Sequence, residues 1–115
     1  MEVKLTGGTQ MIGKVNPRDL TPETYEYYCR LYLIERIYEV IPVTSEIEYR
    51  HVAKIINAID PVLFRNLNVE TNRILLLNEI YSRFMTNTDE QLSREFLYDK
   101  VAHIASYDPA LYTRG

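Results

Sequence analysis

The sequence predicts an all-α fold: a compact bundle of four main helices and one short helix, preceded by a short N-terminal β-hairpin or flexible arm. Three observations carry that expectation. Apolar residues recur at helical spacing through four stretches, capping and proline signals bracket those stretches, and the connections between them are short. With 115 residues, 46% of them hydrophobic, the chain forms one domain that closes a core without metals or disulfides. The expected division is an arm at residues 1–16 and a helical body at 17–115.

The arm comes first. Glu2-Val3-Lys4-Leu5 and Gln10-Met11-Ile12-Gly13-Lys14-Val15 flank Thr6-Gly7-Gly8-Thr9. Short apolar-polar runs around a Gly-Gly pair suit a hairpin, which is marginal in water unless it packs on something. Asn16-Pro17 closes the segment.

The first long helix is expected from residue 22 to about 41. Thr21 supplies an N-cap hydroxyl, Pro22 the favoured first residue and Glu23 an early acid for the helix dipole. Pro42 ends it. Tyr27, Leu31, Ile34, Tyr38 and Ile41 recur at spacings of 4, 3, 4 and 3, one continuous apolar stripe. Tyr25, Cys29, Tyr32 and Arg36 lie on another side, with Tyr28 beside them. A helix apolar on two sides either sits centrally or turns one side to another molecule.

The second helix is expected to start at the capping box Ser45-Glu46-Ile47-Glu48 and to bury Tyr49, Val52, Ile55, Ile56 and Ile59. Asp60-Pro61 stops it and starts a short helix through Val62, Leu63, Phe64 and Leu67. Asn66-Leu67-Asn68 reads as a corner. The next helix, about 70–86, is the most apolar and is expected to lie deep, with Ile74, Leu75, Leu76, Leu77, Ile80, Tyr81, Phe84 and Met85. Asn87-Thr88-Asp89 turns into the last helix, about 89–106. Its stripes are Leu97, Val101, Ile104 and Ala105 on one side, and Leu92, Phe96, His103 and Tyr107 on the other. Asp108-Pro109 breaks it and leaves the tail Ala110-Leu111-Tyr112-Thr113-Arg114-Gly115.

Thirteen basic and sixteen acidic residues leave a net charge of −3. A protein that grips a polyanion needs a basic face, and the summed charge runs the other way. One cysteine, Cys29, permits no intramolecular disulfide, and no stretch approaches the length of a transmembrane helix. Met1-Glu2-Val3-Lys4 lacks an apolar signal core, so a cytoplasmic address is expected. Ten Tyr against three Phe and no Trp, with nine Arg against four Lys, favour residues with a large contact surface and a polar end. Both types are enriched at protein interfaces, and both also serve at the wet boundary of a core.

Four arrangements have the spacing of chemistry. Gly8 to Lys14 fits the phosphate-loop pattern G-x-x-x-x-G-K. Yet Val15 stands where a hydroxyl should bind magnesium, and Asn16-Pro17 stops the helix the anion needs. Glycines serving hairpin turns explain it better. Glu48-Tyr49-Arg50-His51 is an E-x-x-H, which di-iron bundles use only with a second such pair and two more inward glutamates. His51 is expected to face outward from the Val52-Ile55-Ile56-Ile59 stripe. Glu95, Asp99 and His103 stand one turn apart, ordinary helix-surface pairing. Cys29 with His51 or His103 makes a conceivable nucleophile pair without an orienting group, and a cysteine amid tyrosines is more often a packed small residue. No cofactor, metal, catalytic residue or small-molecule substrate is expected.

The most informative set is Tyr25, Tyr28, Tyr32 and Arg36. Successive turns place rings beside a guanidinium, which suits internal packing, a protein partner or stacked bases. Glu26, Glu35 and Glu39 on the same helix disfavour nucleic acid. The leading expectation is a non-enzymatic protein–protein interaction module, either a small adaptor or inhibitor or a subunit of a homo-oligomer or larger assembly. Contacts would come from Tyr25, Tyr28, Tyr32 and Arg36, the arm, and the tail residues Leu111, Tyr112 and Arg114. The alternative is a nucleic-acid-associated protein using Arg30, Arg36, Arg50 and Arg65. A small metal-dependent or other enzyme comes third.

Overall fold

The computed structural model describes residues 20–42, 44–87 and 92–109. Four α-helices and one 3₁₀ turn make up most of these residues, and no strand occurs among them: α1 Pro22–Val40, α2 Tyr49–Asn57, the 3₁₀ turn Pro61–Phe64, α3 Glu70–Asn87 and α4 Arg94–Ala105. The all-α architecture expected from periodicity is thus present. The arm at 1–16, with its phosphate-loop spacing, and the tail at 110–115 lie outside the described residues.

α1 starts where its sequence signals place it. The Thr21 hydroxyl accepts from the Thr24 amide at 3.3 Å, and the Thr24 hydroxyl accepts from the Thr21 amide at 2.8 Å. That is a reciprocal capping box with threonine in the place glutamate usually takes. Pro22 is pre-set for the first turn, and Ile41 leaves the helix in extended geometry before Pro42.

α2 begins three residues later than its sequence box suggests. Ser45 does not cap it; its hydroxyl accepts from the Ile47 amide at 3.0 Å, and its own amide donates to the Pro42 carbonyl at 2.9 Å. The serine closes a local turn that competes with helix initiation. Glu48 becomes the N-cap without a side-chain cap bond. Of the expected stripe, Val52, Ile55, Ile56 and Ile59 are buried, whereas Tyr49, in the first turn, is exposed.

Asp60 caps the 3₁₀ turn by accepting from the Val62 amide at 3.0 Å. At the corner that follows, Asn66 takes a φ of 54°, a left-handed conformation asparagine tolerates better than most residues. Its carbonyl accepts from the Val69 amide and the Asn72 side chain.

α3 buries Leu76, Leu77, Ile80 and Phe84, but Leu75 is 51% exposed. The expectation that this helix lies deep is therefore corrected at Leu75: the Ile74–Leu77 run spans more circumference than the neighbours cover. α4 is capped by Ser93, whose hydroxyl accepts from the Glu95 and Phe96 amides at 3.1 and 3.2 Å. Residues 88–91 lie outside the described residues, and the described helix opens at Arg94 rather than near 89. Leu97, Val101, Ile104 and Ala105 are buried, as their stripe requires.

α3 packs chiefly on α4, and α1 on α2; α1 also meets α4 and the 3₁₀ turn. One buried cluster draws on all five elements. α1 thus has neighbours on the side that holds Tyr25, Tyr28 and Tyr32, while Tyr27 and Tyr38 stay exposed.

Candidate functional site

The regular stripe of α1 faces inward only in part: Ile34 and Ile41 are buried and Leu31 packs against the core, but its two tyrosines are not buried. Tyr25, Tyr28 and Tyr32 are buried with Cys29, Leu33, Ile34 and Ile37, whereas Tyr27 is 68% exposed and Tyr38 39% exposed. The expectation that Tyr25, Tyr28, Tyr32 and Arg36 form an open contact face is therefore corrected. α1 carries apolar residues around most of its circumference, and α4 covers the side that holds these three rings.

Each inner ring has a defined partner. The Tyr25 hydroxyl donates to the Ile104 carbonyl at 2.7 Å. Tyr28 stacks on Tyr107 at 5.2 Å and lies 5.9 Å from Tyr32, which stacks on His103 at 4.7 Å. Arg36 is half-buried, with its guanidinium 5.3 Å from the Tyr32 ring centroid and Nη2 donating to Glu39 at 2.7 Å. Burial pushes the Tyr25, Tyr28 and Tyr32 hydroxyls above the ordinary phenol range. Such phenols stay neutral and hold rings in place; they are not poised acids.

Cys29 is fully buried, and its thiol is raised by the same desolvation, the opposite of nucleophile activation. His103 lies against Tyr32 and Tyr107. His51, expected to face outward, is half-buried, and its Nε2 is enclosed without a hydrogen-bond partner. Glu48 pairs with Arg50 at 3.0 Å. Among the described residues, no three His, Cys, Asp or Glu side chains converge as metal ligands.

The arginines considered for nucleic acid are largely engaged. Arg30 donates to the Ile56 and Ile59 carbonyls, both at 2.7 Å, and to Glu26. Arg36 and Arg50 face Glu39 and Glu48. Arg65 is exposed beside a cavity of about 370 Å³, which is also lined by Pro22, Tyr25, Phe64, Asp108 and Pro109. The buried Asp108 carboxylate there accepts from the Asn68 amide at 3.3 Å and ties the end of the helical body to the corner.

The large apolar side chains of α1 that remain exposed are Tyr27, Tyr38 and Val40, and Tyr27 and Tyr38, at i and i+11, share one side of the helix. α2 extends this surface. Tyr49, 38% exposed, meets Tyr38 edge to face at 5.5 Å, and its hydroxyl donates to Glu35 at 2.8 Å. Burial and that bond push its pKa up to about 12, with Tyr27 close enough to contribute. At the end of α1, Tyr38, Glu39, Ile41, Pro42, Ser45 and Ile47 line a groove of about 320 Å³. The sequence places Tyr27 and Tyr38 on the regular apolar stripe but does not mark them as a contact surface; their common side with Glu35 is the available signal. Leu111, Tyr112 and Arg114 lie outside the described residues. Among the described residues, no helix is long and apolar enough to cross a membrane.

No protein-family model, curated protein or solved structure matches the chain.

Proposed function

We infer that this chain is a non-enzymatic protein–protein interaction module, a small adaptor or inhibitor or a subunit of a larger assembly. One observation carries the reading. Tyr27, Tyr38 and Tyr49 all stay exposed, and Tyr38 and Tyr49 meet edge to face across α1 and α2, so that three tyrosines share one open surface. Aromatic residues with an apolar body and a polar tip are enriched where proteins meet, and tyrosine is prominent among binding hot spots. The contact surface moves from Tyr25, Tyr28 and Tyr32 to the opposite side of the same helix.

Site-specific photocrosslinking tests this. The full chain carries p-benzoylphenylalanine in place of Tyr27, or of the exposed Leu75 on α3 as a control, in the cells it comes from. Discrete protein adducts are expected from position 27 and not from 75, and Tyr38→Ser should remove them. No adduct at 27, or the same adducts at 75, overturns the reading.

A further inference from the structure

We propose that the Tyr27–Tyr38–Tyr49 surface and the adjoining groove receive a short peptide segment of a partner protein, one that presents an apolar side chain flanked by Lys or Arg. The proposal rests on the interaction reading above and narrows it to a class of partner.

Size speaks first. Aromatic side chains offer about 150–250 Å² each. At exposures of 68%, 39% and 38%, the three rings present about 300 Å². A stable interface between globular proteins covers about 800 Å² on each side. The three rings by themselves supply less than half of such an area, which favours a short segment over a second copy of the chain or a folded domain. The groove, at about 320 Å³, falls at the small end of ligand-pocket volumes and admits a large apolar side chain. Ile41, Pro42, Ile47 and the Tyr38 ring give it apolar walls.

Charge speaks second. Residues 35–50 carry Glu35, Glu39, Glu46 and Glu48 against Arg36 and Arg50, a net −2. Glu39 lines the groove itself, where it accepts from Arg36 at 2.7 Å, so the excess of acid rests on the set as a whole. α1 ends at this point with no basic residue in its last turn, so the negative end of its dipole is uncompensated by its own side chains. A cationic flank on the incoming segment therefore gains at both the acids and the helix end, and an acidic flank is repelled by both. Glu48 and Arg50 form a highly exposed pair, which an incoming charge displaces at little cost.

The probe is a phage-displayed library of random dodecapeptides selected on the full chain, with affinities then measured by fluorescence anisotropy. Enriched peptides should place an apolar residue beside Lys or Arg. Their binding should weaken about tenfold or more in Tyr38→Ser and in Glu39→Lys, and hold in Glu70→Lys, which makes the same charge change on α3. Thermal melts establish that each variant is folded. Enrichment of acidic peptides, no enrichment, or equal loss in Glu70→Lys overturns the proposal. So does a dimer in sedimentation velocity that Tyr38→Ser disperses, because the occupant is then a second copy. If no peptide is enriched but the Tyr27 crosslink persists and depends on Tyr38, this inference fails while the interaction reading stands.

Discussion

The Arg30 guanidinium lies over the Phe64 ring, 4.7 Å from its centroid. From there it donates to the Ile56 carbonyl in the last turn of α2 and to the Ile59 carbonyl just beyond it, both at 2.7 Å. One side chain of α1 thus satisfies the exit of α2 and covers the 3₁₀ turn. Arg30→Ala should cost about 2–3 kcal/mol, the scale of lost charge-assisted bonds to buried carbonyls. Arg30→Lys should recover less than half, since one ammonium cannot span both oxygens as a planar fork does. Urea unfolding checks both; full recovery by lysine would show that the fork is immaterial.

Adjacent tyrosines on α1 should behave oppositely. Tyr28, buried between Tyr32 and Tyr107, should lose about 3–5 kcal/mol on change to Ala, as large aromatic truncations in cores do. Tyr27→Ala, at an exposed position, should stay within about 0.5 kcal/mol of the parent. Chemical denaturation of the two variants side by side decides it. Equal effects would mean that the helix is rotated from the orientation described.

The contrast between α1 and α2 explains what the sequence reveals and what it conceals. α2 has one apolar stripe and a polar remainder, so Val52, Ile55, Ile56 and Ile59 declare the buried side unaided. α1 places Tyr25, Tyr28, Cys29, Tyr32, Leu33, Ile34 and Ile37 inward and still has Tyr27 and Tyr38 exposed. Period alone cannot choose among overlapping stripes; the choice falls to which neighbours dock, information that is not local. Tyrosine worsens the ambiguity because it is at home on either side of the water boundary. The start of α2 was hidden for another reason, since Ser45 fits a cap and a turn equally well in sequence.

Caps give a second comparison. Ser93 accepts from two amides at the start of α4, so Ser93→Ala should cost about 1 kcal/mol. Ser45 stands outside any helix, and Ser45→Ala should cost less than about 0.5 kcal/mol. Thermal unfolding of the pair tests whether α2 truly begins beyond the serine box; a full cap penalty at Ser45 would return the helix start to it.

Stability should fall on the acid side through His103. Burial lowers its pKa, Lys100 and Arg36 push the same way, and Asp99 opposes them; Tyr32 and Tyr107 are the rings against it. Because the folded pKa lies below the unfolded value of about 6.5, the unfolded chain binds the proton first. The contribution is whole above that value and is lost as pH falls through the folded pKa. His103→Gln should flatten this part of the pH–stability curve, as melts from pH 8 to 5 would show. An unchanged slope would remove the histidine from the explanation.

Hydroxyl-radical footprinting of the folded full chain, read by mass spectrometry at each tyrosine, addresses the orientation of α1 most directly. Tyr27 should oxidise fastest, Tyr38 and Tyr49 at intermediate rates, and Tyr25 and Tyr28 slowest until the chain unfolds. Rapid oxidation of Tyr25 and Tyr28 with protection of Tyr27 would contradict both the packing and the surface assigned to partner binding.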